Sequence, residues 1–227
     1  MIITIDGPAG SGKSTIAKMI AKELGFTYID TGAMYRAVAL KIKRKGIDPD
    51  DIRSVLKTLK ETDIDLRPSE NGVRVLLDGE DVSDLIRTEE IGKIASKIAR
   101  YPEVRKILVQ MQRSLGEKAK NAVLEGRDTG TVIFPDAEIK FFFTASPEVR
   151  AERRYKELKE KGINVSYVDI LKEIKERDFL DETRKDSPLK PADDAIVIDT
   201  TGKSLSQVFQ EVLQIIKEKT ELQQKNI

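Results

Sequence analysis

Gly7-Pro8-Ala9-Gly10-Ser11-Gly12-Lys13-Ser14-Thr15 follows the apolar run Met1-Ile2-Ile3-Thr4-Ile5-Asp6 and precedes an amphipathic segment from Ile16 to Leu24. A strand, a glycine-rich turn and a helix in that order satisfy G-x-x-x-x-G-K-[ST] together with both of its required neighbours. The glycines let backbone N–H groups turn toward an anion, and the helix opening near Lys13 adds the positive end of its dipole. On this reading Lys13 bridges outer phosphates. Ser14 places its hydroxyl on Mg²⁺, a hard cation that takes oxygen ligands and keeps several waters. The expectation is a nucleoside triphosphate site.

Working outward, apolar runs short enough to be buried strands lie at 1–6, 26–30, 121–125, 138–144 and 195–199, with helix-period segments between most of them. Strands alternating with helices predict a parallel sheet flanked by helices on both faces, with ligands at the carboxyl ends of the strands. From about 62 to 98 the rhythm breaks. There DIDLRP and VRVLLDGEDV read as antiparallel strands around a turn at Ser69-Glu70-Asn71-Gly72, with a second turn at Asp78-Gly79. Helices are predicted at about 83–99 and 102–119, the second opening on Pro102. The expected organisation is a core of 1–61 and 99–220, an inserted lobe of 62–98, and a frayed tail at 221–227.

Composition narrows the chemistry. The chain has 227 residues, 40 Lys+Arg against 39 Asp+Glu, and a net charge of +1, so no global field points to nucleic acid or a membrane surface. There is no cysteine and no histidine, which removes thiol chemistry and the commonest neutral-pH base. Catalysis must rest on carboxylates, cations and backbone amides. No long apolar run occurs, and the opening residues read as a strand rather than a basic leader, so the expected location is cytoplasmic. An aromatic content of 5% disfavours a nucleic-acid binder further.

Triphosphate binding alone leaves switches, motors and kinases open. A guanine reader of the form N-K-x-D or T-K-x-D is absent: Thr183-Arg184-Lys185-Asp186 only resembles one, and Asp199-Thr200-Thr201-Gly202 follows the last apolar run. No strand ends in the Asp-Glu pair of an ATPase motor. Arginines instead occupy positions suited to ligands. Arg36 follows a strand end that turns into a helix, and Arg127 with Asp128 stands at the end of a central strand. Arg177, Asp181 and Arg184 recur at i, i+4 and i+7. Taken alone, that face reads more simply as a surface salt-bridge ladder. Arg150, Arg153 and Arg154 share another helix face, for which a solvated ladder with Glu148, Glu152 and Glu157 is again the bland alternative. Together the clusters favour phosphoryl transfer between two phosphates, which needs cations and alignment more than a general base. The segment 150–164, with Gly162 near its end, is the candidate lid that excludes water, placed at about 150–165.

IDGPAGSGKST, DTGAMYR, GRDTGTVIFPDA, VLLDGEDVSDLIRTEEI, EIKERD with DETR, and the DSPLKPADDA run together resemble the bacterial cytidylate kinase family over nearly the whole chain. The resemblance implies an α/β P-loop NTPase core with a parallel five-stranded sheet, a small antiparallel lobe and a helical lid. It also implies transfer of the ATP γ-phosphate to CMP or dCMP, with Mg²⁺, and UMP as a poorer acceptor. Carried over by position, Gly7 to Thr15 hold ATP, with Lys13 on the transferred group and Ser14 toward the metal. Arg36, Arg127 and Arg184 hold the CMP phosphate. Ser96, Arg105 and Asp128 face cytosine, Arg177 and Asp181 read the sugar, and Thr31 touches the acceptor phosphate. Arg150, Arg153 and Arg154 match the family's lid, Arg153 and Arg154 being the catalytic candidates. A monomer without nucleic-acid or membrane partners is expected.

Overall fold

The computed structural model describes residues 1–69 and 72–225. β1 (Ile2–Asp6) leads through the glycine loop into α1 (Lys13–Leu24), β2 (Thr27–Asp30) and α2 (Thr31–Arg44). A second group follows: α3 (Ile52–Lys60), β3 (Ile64–Ser69), β4 (Gly72–Leu77), β5 (Glu80–Asp81), α4 (Glu89–Ile98) and α5 (Pro102–Ala119). The chain then returns to the core with β6 (Ala122–Gly126), β7 (Ile139–Thr144), α6 (Pro147–Glu160), α7 (Tyr167–Thr183), β8 (Ile196–Asp199) and α8 (Leu205–Lys225).

The main sheet has five parallel strands in the order β2-β6-β1-β7-β8. β1, β2, β6 and β7 read as largely apolar runs because both faces are covered, whereas β8 at the sheet edge leaves Val197 exposed. Alternate residues go to opposite layers. Ile3, Ile5, Val123, Phe141 and Phe143 pack with α1 and α8, whereas Ile29, Ala122 and Leu124 pack with Val109 of α5 and Ile133. Phe141 and Phe143 are essentially inaccessible. Truncating either to Ala would cost about 3–5 kcal/mol.

The antiparallel sheet β3-β4-β5 shares a separate core with α2, α3, α4 and α5, built on Met34, Val38, Ile42, Val75, Ile91 and Leu108. Asp78 and Gly79 turn β4 into β5 with positive φ at both residues, as the sequence predicts. The other predicted turn, Ser69 to Gly72, has Glu70 and Asn71 outside the described residues.

The predicted helix over 83–99 is shorter and broken. Leu85–Arg87 forms a 3₁₀ turn, and α4 restarts behind Thr88, whose Oγ1 accepts from Ile91 N at 3.3 Å. Arg36 Nη1 donates to the carbonyls of Ile86 and Thr88 at 2.9 and 3.3 Å, and while Thr88 O still accepts from Gly92 N at 3.1 Å, the side chain takes the Ile86 carbonyl that a continuous helix would use. At the other end α8 continues to Lys225, through most of the stretch read as a tail, and Asn226 and Ile227 lie outside the described residues.

Candidate active site

The ends of β1, β2 and β6 converge on the glycine loop. Gly12 is the N-cap of α1 with φ +88°, a conformation that penalises any Cβ, and it sets the loop into the first turn of the helix. Four consecutive loop carbonyls are held by protein donors. Pro8 O accepts from Ser11 Oγ at 2.8 Å and Lys13 Nζ at 3.4 Å, and Ala9 O from Arg150 Nη1 at 3.2 Å. Gly10 O accepts from Arg153 Nη1 at 3.2 Å, and Ser11 O from Thr200 Oγ1 at 3.0 Å. Tying these carbonyls back fixes the loop with its amides available to an anion. Thr15 lies exposed in the first turn of α1.

Lys13 is buried, and its Nζ lies 3.9 Å from Glu125 Oε2. Burial, and then Arg127, push the Lys13 ammonium down to about 7, against the pull of Glu125. Glu125 also accepts at Oε1 from Ser14 Oγ at 2.7 Å and from the Tyr28 hydroxyl at 3.0 Å. The donor set beside the loop is thus all oxygen, which fits a hard divalent cation.

Across from Lys13 stands a ring of arginines around Asp181. Arg127 Nε donates to Asp181 Oδ2 at 3.0 Å, and Arg184 Nη1 lies 3.7 Å from Oδ1. Burial alone would raise the Asp181 carboxyl, but Arg127, Arg177 and Arg184 outweigh it and hold the group below its ordinary value. Burial and Arg127 push Arg177 down to about 10. Arg184 is lowered by burial and Arg105, and Arg36 by burial and Arg87. Arg177 Nε and Arg184 Nη2 are buried without a hydrogen-bond partner among the described residues. Each buried donor left unpaired carries its full desolvation cost, so a cluster of like charges of this kind is suited to an anionic ligand. The surface-ladder alternative is therefore wrong for this face. Arg184 is not on the helix at all: it is the C-cap of α7, in extended backbone. Pro188 cannot continue the helix, and Leu189 N folds back onto Asp181 O at 2.8 Å while Arg184 Nε donates to Ser187 O at 2.7 Å.

Arg105 and Asp128, both buried, form an ion pair, and the Arg105 guanidinium lies 5.9 Å from the Tyr35 ring centroid. Burial opposes the Arg105 charge, but Tyr35 and Asp128 more than offset it and raise the group. Asp128 follows directly on Arg127, so one turn serves both clusters. Ser96 is half-buried on α4, one helical turn beyond Gly92, which abuts the Arg36 guanidinium. Thr31 opens α2, and its hydroxyl donates to Glu125 O at 2.8 Å. Two lid arginines face different partners. Arg153 Nη2 donates to Thr200 O at 2.6 Å, whereas Arg154 reaches Glu89 of α4 and Glu157.

Sequence reasoning did not single out Asp6, Asp30, Arg87, Glu125, Asp178 or Tyr35. Asp6, buried at the end of β1, accepts from Thr129 N and Oγ1 at 2.9 and 2.7 Å and from Gly130 N at 2.8 Å. Asp30 caps α2 through Ala33 N at 2.9 Å and pairs with Arg87 at 3.0 Å. The available signal was their place: Asp6, Asp30 and Glu125 each stand at or next to the carboxyl end of a core strand.

A triphosphate loop at the centre of a parallel sheet, facing an arginine cluster drawn from the turn after β6 and from α7 and its end, defines a P-loop kinase. Residues 3–218 match the family model described as cytidylate kinase. The chain is 53% identical to a cytidylate kinase of Caldanaerobacter subterraneus subsp. tengcongensis over 96% of its length and 95% of the relative's. It is 47% identical to a cytidylate kinase of Carboxydothermus hydrogenoformans over 98% of its length and 100% of the relative's. This chain belongs to the cytidylate kinase family. Its fold is similar to that of a crystallised uncharacterised protein from Eubacterium ventriosum, with a TM-score of 0.51 at 14% identity over 96% of this chain and 98% of the other.

Proposed function

We propose that this protein transfers the γ-phosphate of ATP to CMP or dCMP, giving ADP and CDP or dCDP. The observation that carries the reading is the cluster of Lys13, Arg127, Arg177 and Arg184 at the mouth of the glycine loop, with buried donors left unpaired. Such a cluster is unfavourable until phosphates enter it.

Gly7 to Thr15 bind the ATP phosphates, and Lys13 follows the moving group from a buried position. A phosphate brought against Lys13 favours its charged form, opposing the burial that holds the ammonium down. Ser14 would hold Mg²⁺ with Glu125 beside it, and such an ion would supply charge neutralisation to the outer phosphates. Arg36, Arg127 and Arg184 hold the CMP phosphate in line with the donor, with Thr31 beside it. That phosphate is already a competent nucleophile near neutral pH, so no general base is required. Arg105 with Asp128 and Ser96 reads cytosine: the guanidinium donates to the ring carbonyl, while a carboxylate or hydroxyl oxygen accepts from the amine. Arg177 and Asp181 read the sugar.

Arg154 is the lid arginine best placed to reach the transferred group, since its partners Glu89 and Glu157 are solvent-accessible carboxylates that a phosphate can displace. Arg153 is held by backbone. The segment of about 150–165 serves as the lid, its helix α6 packed on α7 through Ala151, Leu158, Ile170 and Ile174. No helix among the described residues is long and apolar enough to cross a membrane. The protein acts as a monomer in the cytoplasm.

The test is incubation with Mg-ATP and, separately, CMP, dCMP, UMP, AMP and GMP, with ADP and the acceptor diphosphate quantified together. CDP and dCDP formed in step with ADP, with little product from the other acceptors, is the expected result. ADP without an acceptor diphosphate would overturn the reading in favour of a nucleotide-dependent switch.

A further inference from the structure

The helix α6 meets the glycine loop through Arg150 and Arg153, and of the two Arg150 also reaches α7. Arg150 is only 3% exposed, and its guanidinium is used on three sides. Nε donates to Ala145 O at 2.9 Å, Nη1 to Ala9 O at 3.2 Å and to Asp178 Oδ1 at 2.9 Å, and Nη2 to Asp178 Oδ2 at 2.5 Å. The backbone is equally close. Gly10 has φ +76°, and a Cβ placed on it would lie 3.0 Å from Arg150 Cβ, so loop and helix touch with no room between them.

Asp178 belongs to α7, immediately after Arg177 and three residues before Asp181. Successive helical residues point about 100° apart, so one turn of α7 turns Arg177 and Asp181 to the arginine cluster and Asp178 to Arg150. Both oxygens of Asp178 are taken by Arg150, a bidentate fork that fixes orientation as well as distance. We infer that Asp178 is a positioning residue: through Arg150 it sets the distance between the donor loop and the helix that carries the acceptor contacts.

The inference rests on the reading that Arg177 and Asp181 hold the acceptor nucleotide. In-line transfer tolerates little error, and a displacement of about 1 Å can cost up to about 100-fold in rate. Both oxygens of Asp178 are spent on Arg150, so each substrate should still bind when the strut is cut. What is lost is their alignment, and with it the exclusion of water as the competing nucleophile. Attack by water on the γ-phosphate gives ADP and inorganic phosphate with no CDP.

The experiment compares wild type with Asp178→Asn, which keeps shape and loses charge, and Asp178→Ala, together with Arg150→Met and the double variant. Melting temperature, steady-state constants for both substrates, and ADP formed per CDP are measured on each. The expected result is a kcat lowered between about 10- and 100-fold in Asp178→Ala. KM for ATP and CMP should stay near wild type, ADP per CDP should rise above one, and Arg150→Met should add little further loss to Asp178→Ala. A lower melting temperature with unchanged kcat and unchanged stoichiometry would overturn the inference, because the pair would then only stabilise the fold. A raised KM for CMP with kcat intact would also overturn it, since Asp178 would then contact the acceptor. Failure of the wild-type protein to make CDP is a separate outcome that removes the kinase reading itself.

Discussion

Arg127 Nε and Asp181 Oδ2 meet at 3.0 Å, joining the residue just past β6 to the last turn of α7. The end of β6 and α7 therefore share one ion pair at the point where the acceptor phosphate is proposed to sit. Arg127→Ala and Arg184→Ala should each lower kcat/KM for CMP by roughly 10- to 100-fold, the worth of a hydrogen bond to a charged group. ATP binding should change little. Near-normal CMP kinetics in both variants would remove them from the acceptor site.

Asp181 is the carboxylate that the surrounding arginines share. Asp181→Ala should change the ratio of kcat/KM between CMP and dCMP, because a sugar hydroxyl loses its acceptor. A hydrogen bond to a charged carboxylate is worth about 1.5–3 kcal/mol, so a shift of roughly 10- to 100-fold is expected. An unchanged ratio would mean that Asp181 serves only to order the arginines.

Ser14 and Glu125 make a prediction about the metal. Removing the hydroxyl in Ser14→Ala should raise the Mg²⁺ concentration needed for half-maximal activity by roughly tenfold or more. Glu125→Gln, which keeps an oxygen near Ser14 but loses the charge, should raise it less. Titration of Mg²⁺ at fixed ATP reads both, and a curve matching wild type in Ser14→Ala would take the residue out of the metal site.

Asp6 carries a pH signature. Burial raises its carboxyl from 3.8 to about 6 despite the bonds from Thr129 and Gly130. Because the folded chain holds this proton more tightly than the unfolded chain, the contribution to stability is full below the unfolded value and lost as pH rises to about 6. A difference of two units corresponds to about 3 kcal/mol. The unfolding free energy of wild type minus that of Asp6→Asn should fall by up to this amount between about pH 4 and 6, then level off. Urea unfolding across that range measures it, and a flat difference would show that Asp6 ionises normally.

Every strand of the main sheet was legible, because a strand buried on both faces must be a short apolar run and Gly or Pro cannot interrupt it. The glycine loop was legible for a similar reason: anion binding by backbone demands that spacing. The break before α4 was not, since a side chain from α2 causes it from 50 and 52 residues away. Local spacing also placed Arg184 on a helix that in fact ends one residue earlier, where a proline and a returning amide take over. The partners of the site residues were the least visible. Ser14 and Glu125 are 111 residues apart, and Arg127 and Asp181 are 54 apart, so their pairing exists only once the sheet has assembled.

The strand order has one more consequence, in how the molecule is made. β1 is the first strand to leave the ribosome, yet it is the central strand, and its two neighbours are residues 122–126 and 139–144. During synthesis Ile3 and Ile5 must wait, with both strand edges bare, until well over half the chain has followed. At about 5–20 residues per second that wait lasts many seconds. Folding is thus governed by late, non-local pairing rather than by local helices, and the nascent chain exposes an aggregation-prone strand for that whole interval.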